Sequence, residues 1–293
     1  MIKEVGSNIW QITGAIDGPS VVILGGVHGD EKTGIEVIKF LREVCQPPTK
    51  KLLKGKLILA LGNERAVEAG VREIDGHNLN RLFNVEYLSK PAEDFYESRR
   101  AHELAGFLRQ ADYLLDLHAT FSPSRPFLAG AATPRHEKIY RWFNTDLVLT
   151  DPNFVVGDGQ ATTDEFVDVC GGVGICFEAG WLGDTSLVPV VSESVLKILV
   201  DLGMIAAEAE TPVPPKPTYQ IFELTKKIVL TLDGFSYAQG IGLESFFPVK
   251  SSQVIGYHGK REELVAEDGV LVFQKDKALW QVNQPICFFA KKV

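Results

Sequence analysis

His28 and Glu31 stand three residues apart in the stretch VVILGGVHGDEKTG, directly after a hydrophobic block. An imidazole and a carboxylate at that spacing, in a Gly-rich turn entering a helix, can face one point, and both are donors that suit Zn2+. His118 closes another apolar run, ADYLLDLHAT, and would supply a third ligand. Three protein ligands leave the fourth position of a tetrahedral site open to water, the pattern of a catalytic rather than a structural zinc. A plainer reading makes His28 a turn residue and Glu31 an acid at a helix N-terminus, where the dipole favours it. A His at the end of a second buried strand weighs against that reading.

Glu178 follows the apolar run GICF and precedes AG. A carboxylate there could take a proton from a zinc-bound water and later return it; the plainer alternative is an acid capping a strand end beside a loop cation. The segment GVREIDGHNLNRLF holds Arg72, Asp75, His77, Asn78, Asn80 and Arg81. A guanidinium pairs with carboxylates through a planar fork, so this loop reads as an anion or carbonyl clamp. Arg and Asn are also common in solvated loops. His77 lies beside that motif, His102 in a helix, His136 in a polar loop and His258 in the last third. These four are expected at the surface or behind the ligands.

The elements that must position these residues alternate. SVVILGGVHG, KGKLILALGN, ADYLLDLHAT and GVGICFEAG read as buried strands. GIEVIKFLREVC, RRAHELAGFLRQ and VVSESVLKILVDLGMI read as helices, the last with Ser192 as its N-cap and Gly203 near its end. Strands alternating with helices imply an α/β sheet covered on both faces. Ligands in such sheets bind beyond the carboxyl ends of the strands, where GGVHGDE, DLHAT and CFEAG all fall. The pattern changes at AEAETPVPPKP, whose four prolines suit an extended linker. KKIVLTLDGF, SQVIGYHG and GVLVFQKDKALW then indicate a small β domain. The expected division is 1–210 for a catalytic domain and 211–293 for a β-rich domain.

The 293 residues are 45% hydrophobic and 23% charged, with a net charge of −8. An acidic chain of ordinary composition argues against general nucleic-acid or anionic-membrane binding. It lacks the roughly eighteen-residue apolar run of a membrane span, and MIKEVGSNIWQ lacks the apolar block of a signal peptide. Four cysteines without a CxxC pair are expected to be reduced core residues, which fits the cytoplasm. The oligomeric state is left open, a homo-oligomer included.

GGVHGDE, REIDGHNLNRLF, DLHAT and FEAG, in this order, resemble the succinylglutamate desuccinylase and aspartoacylase family of the zinc carboxypeptidase clan. The resemblance covers most of the first 200 residues. It implies a carboxypeptidase-like α/β/α sandwich with a mixed sheet, plus a small C-terminal all-β domain. It implies one zinc per chain on His28, Glu31 and His118, with Glu178 as general base. Arg72, Asn80 and Arg81 would polarise the scissile carbonyl and hold the substrate carboxylate, Arg72 being assigned to the first task and Arg81 to the second. The implied reaction is hydrolysis of an N-acyl amino acid. A carboxypeptidase acting on short peptides is the alternative, and a non-catalytic binding module is a third reading that an intact ligand set disfavours. Two departures stand out. Asn78 occupies the position before LNR where the family has Asp. The aspartoacylase branch also carries an Arg upstream of the catalytic Glu, whereas ATTDEFVDVCGGVG has none, which argues against N-acetylaspartate.

Overall fold

The computed structural model describes residues 2–46, 49, 51–157, 159, 161–207 and 218–293. The expected proline linker therefore lies, from Glu208 to Pro217, outside the described residues. The chain opens with β1 (Lys3–Gly6), β2 (Ile9–Thr13) and β3 (Ile16–Gly25), followed by α1 (Lys32–Val44) and β4 (Lys54–Leu61). Next come α2 (Glu64–Ala69), α3 (Val85–Leu88), α4 (Tyr96–Leu108), β5 (Tyr113–Thr120), β6 (Phe127–Ala129) and α5 (Pro134–Tyr140). β7 (Leu147–Thr150), α6 (Thr163–Val169), β8 (Val173–Trp181) and α7 (Val188–Asp201) complete the helical part. The last third holds β9 (Gln220–Val229), β10 (Ser236–Tyr237), β11 (Phe247–Val249), β12 (Val254–His258), β13 (Arg261–Leu264), β14 (Gly269–Val272) and β15 (Pro285–Lys292).

Twelve of these strands form one mixed sheet in the order β1-β2-β4-β3-β5-β8-β6-β7-β9-β15-β14-β11. Its centre, β4-β3-β5-β8, is parallel. Such strands are buried on both faces, which explains the unbroken apolar run Val21 to Leu24. Side chains alternate between the faces. Val21, Ile23, Leu115, Leu117 and Ile175 pack with α1 and α7. Val22, Leu24, Ile58 and Leu114 pack with α4 and α6 through Leu104, Leu108, Phe166 and Val167. The result is the expected three-layer α/β/α arrangement with a strand-rich C-terminal region.

The sheet does not stop between the two halves. β9 pairs in parallel with β7, Leu147 opposite Gln220 and Thr150 opposite Glu223. Phe127, Leu147 and Leu149 share a core cluster with Phe222, Val270 and Phe288. A second cluster, including Ile228, Phe235, Ile255 and Ile286, belongs to the C-terminal strands alone. The β-rich region thus has a core of its own and is welded edge-on to the larger part.

Three local expectations need correction. Ser192 does not cap α7: it lies buried inside the helix, which starts after Leu187 with Pro189 in its first turn. Proline there is preset for helix and lacks an N–H that would go unpaired, so no polar cap is needed. His136 is not in a polar loop but on α5, buried, with Nε2 3.1 Å from Asp168 Oδ1. His258 is likewise buried in β12, with Nε2 3.4 Å from Glu263 Oε2. Gly203 does follow the end of α7, with φ +66°. The four cysteines form no disulfide, and three of them are buried and Cys170 half-buried. Among the described residues no helix is long and apolar enough to cross a membrane.

Candidate active site

Three adjacent parallel strands end at one crevice. After β3 the chain turns at Gly26, whose φ of +66° suits glycine, and delivers His28 and Glu31 just before α1. Gly29 lies in this turn, where a Cβ would come 2.1 Å from the Ala66 carbonyl carbon, so α2 closes on the loop only because no side chain intervenes. β5 carries His118 two residues before its end, and β8 places Glu178 directly opposite it. Glu31 is the N-cap residue of α1 but makes no side-chain cap; its carboxylate turns toward the histidines instead.

Ligand-type atoms of His28, Glu31 and His118 all lie within 4.8 Å of one another, and all three residues are buried. Glu31 Oε1 is 2.7 Å from His28 Nδ1, and Oε2 is 2.9 Å from His118 Nδ1. Glu31 Oε2 also accepts from the Ala119 amide at 3.1 Å. On its far side, His118 Nε2 lies 2.9 Å from Asp116 Oδ2, an ion-pair contact rather than an aligned hydrogen bond. Asp116 in turn accepts from the Thr163 hydroxyl. A carboxylate behind a ligating histidine fixes the ring's orientation and raises its basicity. His28 Nε2 is 3.1 Å from both Asn78 Oδ1 and Arg72 Nη2. One nitrogen cannot donate to Asn78 and accept from Arg72 at once, so the tautomer of His28 selects its partner.

Charge in this cluster follows burial and pairing. Burial is the main reason that His28 drops to about 4, which keeps its imidazole neutral and able to ligate. Burial alone would lower His118 too, but Asp116 and Glu31 hold it well above its usual value. Burial opposes ionisation of Glu31, yet His28 and His118 together keep it well below the carboxylate range. Glu178 goes the other way: burial pushes it up, and His118 pulls back only in part. Its Oε2 has no hydrogen-bond partner.

A cavity of about 1490 Å³ opens over this cluster, lined by the three ligand-type residues, Glu178, Arg72, Asn80 and Arg81. The structure therefore brings His28, Glu31, His118, Glu178, Arg72, Asn78, Asn80 and Arg81 together, whereas Asp75 and His77 of the same loop stay outside the lining: Asp75 accepts from the Tyr96 amide and His77 stacks on Phe95. Arg72 Nη1 donates to Glu31 Oε1 at 3.1 Å, and its guanidinium lies 4.2 Å over the Phe121 ring. Asn80 Oδ1 accepts from the Thr163 amide at 3.0 Å, which leaves its amide nitrogen as the remaining donor. Arg81 Nη1 donates to the Asn80 carbonyl at 2.6 Å and makes no ion pair among the described residues. Asn78 Oδ1 also accepts from the Asn80 amide at 2.9 Å, so it links His28 to this loop.

Three further residues were not singled out. Asp116 had a signal: it is a charged residue in an apolar strand, two before His118 and hence on the same face. Lys275, from the loop after β14, reaches the cavity beside Arg72 and Arg81. Burial, then those two cations, lower its ammonium. Nothing local to its sequence predicts that placement. Asp164 also lines the cavity; its acidic, Arg-free stretch points in the sequence to a single carboxylate clamp from the NLNR loop and not to a site of its own.

Residues 17–187, more than half of the chain, match the succinylglutamate desuccinylase/aspartoacylase catalytic domain. The chain belongs to this family. A probable aspartoacylase from Nostoc sp. is 39% identical over 108 residues, 34% of this chain and 35% of that protein. A succinylglutamate desuccinylase from Burkholderia thailandensis is 34% identical over 116 residues, 36% of this chain and 32% of that protein. These matches span about a third of the relatives' length. The desuccinylase/aspartoacylase fold extends further. The crystal structure of succinylglutamate desuccinylase from Vibrio cholerae superposes with a TM-score of 0.75 at 18% identity, covering 98% of this chain and 86% of that one. Murine aminoacylase 3 gives 0.71 at 19% identity, covering 94% and 95%. The C-terminal strands therefore belong to the shared fold, although the family match in sequence ends at residue 187.

Proposed function

We propose that this member of the desuccinylase/aspartoacylase family hydrolyses the amide bond of an N-acyl amino acid, with one zinc ion held by His28, Glu31 and His118. The observation that carries the reading is the convergence of this buried His-Glu-His set with an unpartnered Glu178 carboxylate at the floor of one large cavity. The donor set fits the metal: two imidazoles and one carboxylate suit zinc and leave a position for water. A zinc ion there would polarise the carbonyl, lower the pKa of water and favour the ionised form of Glu178 by its charge.

The chain's own residues supply the rest. Glu178 takes the proton of the attacking water and passes it to the leaving amine, so that the amide C–N bond breaks to a carboxylic acid and a free amino group. Arg72, beside Glu31, is placed to stabilise the oxyanion that develops on the carbonyl. Arg81 holds a substrate carboxylate, joined by the amide nitrogen of Asn80 and the ammonium of Lys275. Phe121 stacks under Arg72 and keeps its guanidinium directed into the cavity. Residues 1–210 form the catalytic unit in this reading, and residues from Ile221 onward, Lys275 and Phe288 among them, line one wall of the cavity.

The test is turnover of a panel of N-acyl amino acids and short peptides by the zinc-loaded protein, with zinc content measured alongside. Hydrolysis of N-acyl amino acids at one zinc per chain supports the proposal. Hydrolysis of peptides alone would make the chain a carboxypeptidase, and a metal-free protein with neither activity would make it a binding module.

A further inference from the structure

The cavity and the residues just behind it carry acids as well as cations, and most of the acids are already engaged, Asp30 facing Arg72 and Glu223 facing Lys291 among them. Glu165 accepts from the amides of Ala161 and Thr162, at 2.9 and 3.2 Å. Asp168 bonds His136 and accepts from the Gly174 amide at 2.8 Å. Asp151 accepts from the amides of Val155 and Val156, each at 2.8 Å. Asp116 serves His118 and Thr163. Asp164 is different. It lines the cavity with only 8% of its surface exposed, forms no ion pair among the described residues, and has the Thr162 hydroxyl as its side-chain hydrogen-bonding neighbour.

Its position is nevertheless built rather than incidental. The preceding residue is anchored twice, with the Thr163 hydroxyl on Asp116 and the Thr163 amide on Asn80 Oδ1. Thr162 and Glu165 close a capping box around the same turn. A Cβ at Gly174 would fall 2.0 Å from the Asp164 carbonyl oxygen, so β8 packs this tightly against α6 only with glycine there. The carboxylate is held at the cavity wall by contacts that do nothing to neutralise it. Burial, and then Glu165, push it up to about 7. A buried carboxylate hydrogen-bonded only by neutral groups, here the Thr162 hydroxyl and its own amide, still lacks a counter-charge, and a cation brought by a ligand supplies it.

We propose that Asp164 receives an ammonium group of the substrate, so that the compound hydrolysed carries a cationic amine as well as a carboxylate. The assignment rests on the deacylase reading and narrows its substrate class. Arg81 and Lys275 supply two cations without a carboxylate partner of their own among the described residues, and Asp164, more deeply buried than Glu73 on the same cavity, supplies a negative charge without a counter-ion. Thr163 and Asn80, the residues just before Asp164 and Arg81, are joined by a 3.0 Å hydrogen bond, which places carboxylate and ammonium on the same portion of the substrate, its amino-acid part. Two substrates share that chemistry: an Nα-acylated basic amino acid, and an amino acid acylated on its side-chain amine with the zwitterionic head free. A dicarboxylic amino acid would set its second carboxylate against Asp164.

The experiment compares Nα-acetyl-L-ornithine, Nδ-acetyl-L-ornithine, N-acetyl-L-norvaline and N-acetyl-L-glutamate with the zinc-loaded wild type and Asp164→Asn. The wild type should prefer one acetylornithine isomer over norvaline and glutamate derivatives, and the isomer preferred tells which amine is bound. In Asp164→Asn the ornithine-to-norvaline ratio of kcat/KM should fall about tenfold or more, the usual size of a charge-assisted hydrogen bond. A wild type that prefers the glutamate derivative or shows no preference overturns the proposal, and so does a preference that survives in Asp164→Asn. Calorimetric binding of free L-ornithine and L-norvaline forms the second arm. If no panel member is hydrolysed, these acetyl compounds are not its substrates, the broader N-acyl panel judges the deacylase reading, and this arm still decides for Asp164. Tighter ornithine binding that is lost in Asp164→Asn supports it; equal binding of the two amino acids overturns it.

Discussion

Replacing Asp164 with Asn should make the protein more stable, and increasingly so as pH rises. The carboxyl is almost fully buried, and its pKa is pushed from 3.8 to about 7 by burial, with Glu165 and Asp116 adding to the rise. The groups that face it are Glu165 on its own helix, Asp116 on β5, Arg81, and Tyr140 and Cys176 from α5 and β8. The folded pKa exceeds the unfolded one, so the folded state binds the proton more tightly. That contribution to stability is fully present below about pH 4 and is lost as pH rises through about 7. A shift of roughly three units at 1.36 kcal/mol each gives about 4 kcal/mol, and water in the open cavity reduces this to about 2–4 kcal/mol. Asparagine keeps the shape and does not titrate. Equilibrium denaturation of both proteins in parallel, from about pH 4 to about pH 8, should show the mutant's advantage growing by about that amount over the window. In a chain of this size the melting temperatures would separate by roughly 2–4 °C per kcal/mol. A difference that stays constant across the window would mean that Asp164 is solvated or paired, and the reasoning would be refuted. A stability cost at a cavity wall is what a residue kept for binding carries.

The other predictions concern the metal centre and the clamp. Asp116→Asn should weaken zinc binding about 10–100-fold, read by competition with a chromogenic chelator; unchanged affinity would show that Asp116 does not orient His118. Glu178→Gln should retain zinc yet lose about 10²–10⁴-fold in kcat, and a variant within about twofold of wild type would remove it from the mechanism. Arg72→Lys should lower kcat, because its fork acts on charge that exists only in the transition state. Arg81→Lys should mainly raise KM. Steady-state kinetics on one good substrate separates the two, and wild-type constants in both would place the substrate elsewhere.

The His28, Glu31 and His118 cluster proposed to hold the metal was legible in the sequence because each member sits at the end of an apolar run. A polar residue at such a place has no packing reason to be there, and the parallel arrangement of β3, β5 and β8 follows from helices intervening between the strands. The clamp loop was legible as a cluster of Arg and Asn, although its approach to His28 through Asn78 was not. The failures have local causes. Ser192 has the type of a cap residue, but Pro189 starts the helix earlier. His136 looked solvated because its neighbours in sequence are polar, while its partner Asp168 is 32 residues away.

Residue type and spacing pointed to the α/β alternation and to His28, Glu31, His118 and Glu178 as residues at strand ends, and the ordered motifs carried the resemblance to the family, since these depend on periodicity along the chain and on stretches that are contiguous. The tertiary structure alone decided what fills the rest of the site. The seam between β7 and β9 makes the C-terminal strands part of the same sheet, and this brings Lys275 beside Arg72 and Arg81. The packing of α6 against β8 at Gly174 turns an ordinary acid of a helix's first turn, Asp164, into a buried charge facing the cavity. Burial and charge environment arise from segments far apart in sequence, so no local pattern encodes them. They are nonetheless what sets the pKa of each group, and with it the kind of substrate the cavity can accept.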